Sequence, residues 1–149
     1  MKERVLPEAM ESGFALERYV PHRAPILGLE RILEIRADAA VAEGVITSGP
    51  DVDADGATWE QALIEGLAQT ASALHSWGAR QSGHKLARGM LVGVNGLVFH
   101  RRARLGERVR YEIELVRQLA PMSLVHGVAR VGDEVLAEGE LKFYVEEAP

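Results

Sequence analysis

Residues 58–80 read Thr58-Trp-Glu-Gln-Ala-Leu-Ile-Glu-Gly-Leu-Ala-Gln-Thr-Ala-Ser-Ala-Leu-His-Ser-Trp-Gly-Ala-Arg80. Trp59, Leu63, Leu67, Leu74 and Trp77 recur at spacings of three, four and seven, with alanines between them, and this periodicity predicts one long helix. Thr58 followed by Gln61 fits a capping box, so Thr58 is the expected cap. Ala62, Ile64, Gly66, Ala68, Ala71 and Ala73 leave only a narrow polar stripe of Gln61, Glu65, Gln69, Ser72 and Ser76. A helix apolar around most of its circumference needs a cover that curves around it.

On either side of this helix the period changes to two. Val109, Tyr111, Ile113 and Leu115 alternate with charged neighbours, and so do the apolar residues of 135–145; both segments read as half-buried antiparallel strands. Residues 90–100 and 122–131 form two more, with a tight turn at Gly132-Asp133. Residues 29–36 and 39–47 form a further pair ahead of the helix. Connections this short allow only an antiparallel sheet, so the expected class is α+β, a curved antiparallel sheet wrapped around one long central helix. Residues 48–57, rich in Gly, Asp and Pro, are the loop into the helix. Residues 1–149 form a single domain, with 1–17 as an N-terminal extension.

The chain has 149 residues, 47% of them hydrophobic, which suits one core. Its net charge of -5 disfavours nucleic acid and anionic membranes as partners of the whole surface. Charge is unevenly spread: residues 76–106 carry six basic side chains and no carboxylate. With no cysteine there is no disulfide framework or thiol nucleophile. The N-terminus lacks the apolar core of a signal peptide, and the most apolar stretch, residues 90–99, is interrupted by Gly93, Asn95 and Gly96. A cytoplasmic location without membrane insertion is expected. At 5% aromatic content, base stacking has little support.

Glu65 leads the candidates for chemistry, because a carboxyl group two turns into an apolar helix is placed for proton transfer. The alternative is that the stripe containing it is a solvated face. Near the helix start, the backbone N–H groups of Trp59, Glu60 and Gln61 lack helical acceptors and can polarise a carbonyl oxygen. The histidines at 22, 75, 84, 100 and 126 show no metal-ligand spacing, and there is no nucleophile elbow or phosphate-binding glycine loop. Gly93-Val-Asn-Gly96 falls inside a strand and is read as a point of close backbone approach. In residues 20–25, two prolines brace His22 and Arg23.

Residues 21–33, Pro21-His-Arg-Ala-Pro-Ile-Leu-Gly-Leu-Glu-Arg-Ile-Leu33, and the helix motif Leu63-Ile-Glu-Gly-Leu-Ala-Gln69 resemble the FabZ-type 3-hydroxyacyl-[acyl-carrier-protein] dehydratases. The resemblance covers residues 18–145 and implies the hotdog fold. It also implies a dimer with acyl-thioester sites at its interface, in which the glutamate matching Glu65 handles the departing hydroxyl and a partner histidine takes the α-proton. The family's histidine loop is replaced here by Ser48-Gly-Pro-Asp-Val-Asp-Ala-Asp-Gly-Ala57, which puts Asp51 at the histidine position. The pattern is closer to a divergent branch found with aryl-polyene or polyketide-like pathways.

Three readings follow. In the first, His22 replaces the missing base and the chain dehydrates a 3-hydroxyacyl thioester, on acyl-carrier protein or coenzyme A. In the second, it is a non-catalytic or half-site subunit, a heterodimer partner of a second hotdog protein instead of a homodimer. In the third, Glu65 serves a thioesterase. The expected parts are Glu65 and His22 for catalysis; the N–H of Glu60, Gln69 and Asn95 for substrate; and Arg101, Arg102 and Arg104 for docking an acidic carrier protein or its phosphate. These arginines have a second reading as scattered solvated charges. No cofactor or metal is required, because a thioester already acidifies its α-position.

Overall fold

The alternation of apolar and charged residues becomes six strands, and the leucine-alanine stretch becomes the helix they enclose. The computed structural model describes residues 19–20, 28–49 and 52–149. Strands β1 (Arg31–Arg36) and β2 (Ala39–Val45) precede helix α1 (Glu60–Gln81). Strands β3 (Lys85–Phe99), β4 (Arg108–Leu119), β5 (Met122–Val131) and β6 (Glu134–Ala148) follow it. They form one antiparallel sheet in the order β1-β2-β4-β5-β6-β3, with α1 against its inner face. This is the hotdog arrangement that the periodicity and the resemblance both predict. His22 and Asp51 lie outside the described residues.

The core is the meeting of two periodicities. Leu63, Leu67, Ala71 and Leu74 along one side of α1 pack with Ile32 and Ile35 of β1, Val109 and Ile113 of β4, Val125 of β5 and Leu141 of β6. Gly66 has a specific reason to be glycine, since a Cβ there would overlap the Tyr111 ring of β4. Tyr111 is buried, and that burial raises its phenol above the ordinary tyrosine range.

Three local expectations change. The helix starts at Glu60, not Thr58; its N-cap is Trp59, with no side-chain cap. Thr58 is unavailable because its N–H and its hydroxyl both donate to the Ala103 carbonyl, at 2.7 and 3.2 Å. The polar stripe is not a solvated face, because Gln69 and Ser76 are buried. The close backbone approach does involve Gly96, but the glycine it requires is Gly139 of β6: a Cβ there would overlap the Gly96 carbonyl oxygen and the Leu97 backbone, whereas one on Gly93 or Gly96 would meet nothing. Gly96 is required instead by its positive φ of 61°, at a register shift between Asn95 and Val98.

The two edges of the sheet differ. β1 is six residues long and ends in Arg31 and Arg36, a short charged edge of the kind that discourages further pairing. β3 is fifteen residues long, pairs among the described residues only with β6, and exposes Met90, Leu91, Val92, Val94 and Val98.

Candidate active site

Glu65 sits five residues into α1, half-buried, on the side of the helix turned toward the segment that leads into β1. Gln69, one turn on, is completely buried. Its Oε1 accepts the N–H of Gly28 at 2.8 Å, and its Nε2 donates to Glu65 Oε1 at 3.1 Å. The first bond fixes the orientation of the amide, so that its NH2 group faces the carboxyl. An NH2 group can only donate, so Glu65 Oε1 is held as an acceptor and a proton on this carboxyl belongs on Oε2. The amide expected to touch substrate is thus bonded to both the Gly28 N–H and the Glu65 carboxyl.

The loop into α1 is held from the other side. Asp53 Oδ1 accepts the N–H groups of Asp55 and Ala57 at 2.9 and 3.2 Å, and its Oδ2 pairs with Arg102 at 2.8 Å. The Ala57 N–H, with help from Arg102, holds this carboxyl below the usual range. With both oxygens engaged, Asp53 is not placed to take over the role of the missing histidine.

The three arginines expected to dock a carrier protein lie together at the β3–β4 connection. Arg101 is gripped by Glu107 through two bonds of 2.8 Å and by Glu134 at 2.9 Å. Arg102 meets the loop, and Arg104 donates to the Asp55 carbonyl at 2.7 Å. Asn95 is exposed on the free β3 edge beside the Gly96 irregularity. Glu60 is exposed in the first turn of α1.

Three of the four described histidines have side-chain partners of their own. His75 Nε2 lies 2.8 Å from Ser123 Oγ, both buried, with its ring edge-on to Phe143 at 5.6 Å. Burial lowers its imidazole to about 4, against a smaller upward pull from Glu147. His84 lies 3.2 Å from Glu147 and His100 3.4 Å from Glu138, both on the surface. Neither the His75–Ser123 pair nor the Arg102 contacts have a local sequence signal, because the first are 48 residues apart and Arg102 lies more than 40 residues from each of its partners in the loop.

A curved antiparallel sheet around one helix, with a carboxyl oriented by the glutamine one turn on, defines a FabZ-like hotdog protein. The model of the ApeP-like dehydratases, described as ApeP dehydratase, matches residues 14–148, and the chain belongs to that family. It is 29% identical over 146 residues to the 3-hydroxyacyl-[acyl-carrier-protein] dehydratase FabZ of Anaeromyxobacter dehalogenans, covering 94% of both chains. It is 30% identical over 150 residues to FabZ of Helicobacter pylori, covering 93% of this chain and 94% of that one. Among solved structures, the dehydratase heterocomplex ApeI:P from Xenorhabdus doucetiae superposes with a TM-score of 0.81 at 23% identity, over 96% of this chain and 93% of that one. Zebra fish thioesterase superfamily member 2 shares the fold at a TM-score of 0.71 and 14% identity, over 96% and 99%. Among the described residues, no helix is long and apolar enough to cross a membrane.

Proposed function

We propose that the chain dehydrates a 3-hydroxyacyl thioester carried on acyl-carrier protein to the trans-2-enoyl thioester. The observation that carries this reading is Glu65, a half-buried carboxyl group bonded to the buried Gln69, within a motif resembling that of the dehydratases. A base removes the α-proton while the thioester carbonyl accepts the developing charge. The electron pair then forms the Cα–Cβ double bond as the Cβ–O bond breaks. Glu65 delivers the proton of Oε2 to the departing hydroxyl, which leaves as water. The N–H of Glu60, at the start of α1, is assigned to the thioester oxygen. His22 is assigned as the base, with its proton returning to Glu65 or solvent after each turnover.

The free β3 edge supports a second element of the proposal. A fifteen-residue strand whose outer edge has no strand partner among the described residues, with exposed Met90, Val92 and Val94, suits pairing with another hotdog chain. That chain is a second copy in the dehydratase reading. It is a histidine-bearing hotdog protein in the half-site reading, which is favoured by the carboxylate-rich loop at the histidine position and by the heterocomplex of the structural neighbour. Product mass after incubation with 3-hydroxyacyl carrier protein separates the readings. Loss of one water by the pure chain selects the homodimeric dehydratase, and loss only with a second hotdog protein selects the half-site subunit. Release of free hydroxy acid selects thioester hydrolysis and rejects both.

A further inference from the structure

A helix that starts without a side-chain cap must be anchored by other means, and here the anchor lies across the fold. Arg102 Nε donates to the Thr58 carbonyl at 2.5 Å and Nη2 to the Ala57 carbonyl at 3.2 Å. Nη2 also pairs with Asp53 at 2.8 Å, and the guanidinium carbon lies 4.6 Å from the centroid of the Trp59 ring. One side chain thus holds residues 57, 58 and 59 in sequence, together with the carboxylate that organises the preceding turn. The neighbouring backbone reinforces it, since the Thr58 N–H donates to Ala103 and the Leu105 N–H to Gly56, both at 2.7 Å.

We propose that Arg102 is a positioning residue for Glu65: by fixing the loop–helix junction it sets where α1 begins and so where the acid stands. This rests on the dehydratase reading above. From Glu60 to Glu65 the helix turns about 1.4 times and rises about 7.5 Å, so a shift of its first turn moves the carboxyl almost rigidly. Gln69 restrains Glu65 from the far side through Gly28, and the carboxyl is held between the two anchors. A single ion pair one-third exposed would contribute little by itself. The positioning arises from the planar fork, which meets two carbonyls and a carboxylate at once while stacking on an indole. A lysine supplies the charge without the fork, so charge alone does not replace this residue.

The test compares Arg102→Lys and Arg102→Met with the unmodified chain on carrier-bound substrate and on a short thioester mimic. Amide hydrogen exchange is measured in parallel at Thr58 and Ala62, whose N–H groups donate to the Ala103 and Trp59 carbonyls. The expected result is a fall in kcat of about 10- to 100-fold on both substrates with little change in KM. Exchange at these two amides should accelerate while the middle of α1 stays protected, and Lys should rescue neither readout. A rise in KM confined to carrier-bound substrate would make Arg102 a docking residue and overturn the proposal; unchanged exchange at Thr58 and Ala62 would overturn it as well. If the unmodified chain forms no enoyl product, alone or with a second hotdog protein, the dehydratase reading fails separately, and the exchange result still decides whether Arg102 anchors the junction.

Discussion

At the scale of single residues, the site depends on two side chains of opposite visibility. Glu65 stands out in the sequence as an acid among apolar neighbours. Glu65→Gln keeps size and polarity but removes the acid, so turnover should fall by about 100-fold or more with the far-UV spectrum unchanged. Full retention of rate would remove Glu65 from the mechanism. Gln69 is visible in the sequence as a polar residue, but its task is not, because its partner Gly28 lies 41 residues away. Gln69→Leu leaves the Gly28 N–H without that acceptor and the carboxyl without its donor. A loss of about 1–3 kcal/mol in urea unfolding is expected, together with a lowered kcat. A variant losing stability but no kcat would mean that the amide supports only the fold.

At the scale of elements, the period of hydrophobicity placed the helix and all six strands, because it is imposed by which face each element buries. The start of α1 was not legible in the same way. Thr58 and Gln61 form a valid capping pair locally, and only the folded chain brings Ala103 close enough to occupy the threonine. The contact between α1 and β4 gives a prediction of its own. Gly66→Ala should destabilise the chain by about 1–3 kcal/mol through overlap with Tyr111. Adding Tyr111→Leu should recover much of this loss, and additive losses in the double variant would show that the two positions are not coupled.

The far half of α1 predicts an acid sensitivity. His75 is buried against Ser123 and Phe143 with its imidazole near 4, whereas the unfolded chain titrates it near 6.5. Between these values the unfolded state binds more protons, so stability is full above about 6.5 and falls as pH drops toward 4. The loss is on the order of 3 kcal/mol across that window. Urea midpoints for the unmodified chain and His75→Gln should converge at low pH. Parallel pH dependence in the two would assign the effect to other groups.

At the scale of the whole molecule, an apolar edge strand fifteen residues long, exposed among the described residues, supports the proposal that the chain pairs with another. This was hidden in the sequence, where residues 90–99 read as an ordinary apolar strand; exposure follows from strand order, which alternation does not encode. The carboxylate-free segment took on a different meaning as well. Arg101 and Arg102 prove to be bound to acidic residues from outside that segment, Glu107, Glu134 and Asp53. Sedimentation velocity should find the unmodified chain as a dimer and Val92→Asp/Val94→Asp as a monomer. A monomeric unmodified chain would remove the self-pairing reading of β3.

The proposed elimination depends on one carboxyl group, Glu65, held by Gln69. Its most direct test is the absorbance of the enoyl thioester formed from a 3-hydroxyacyl carrier protein by the unmodified chain and by Glu65→Gln, each with its hotdog partner if one is required. The account predicts enoyl product from the first and a rate lower by about 100-fold or more from the second. Equal rates from both, or release of free carrier thiol without enoyl product, would contradict it.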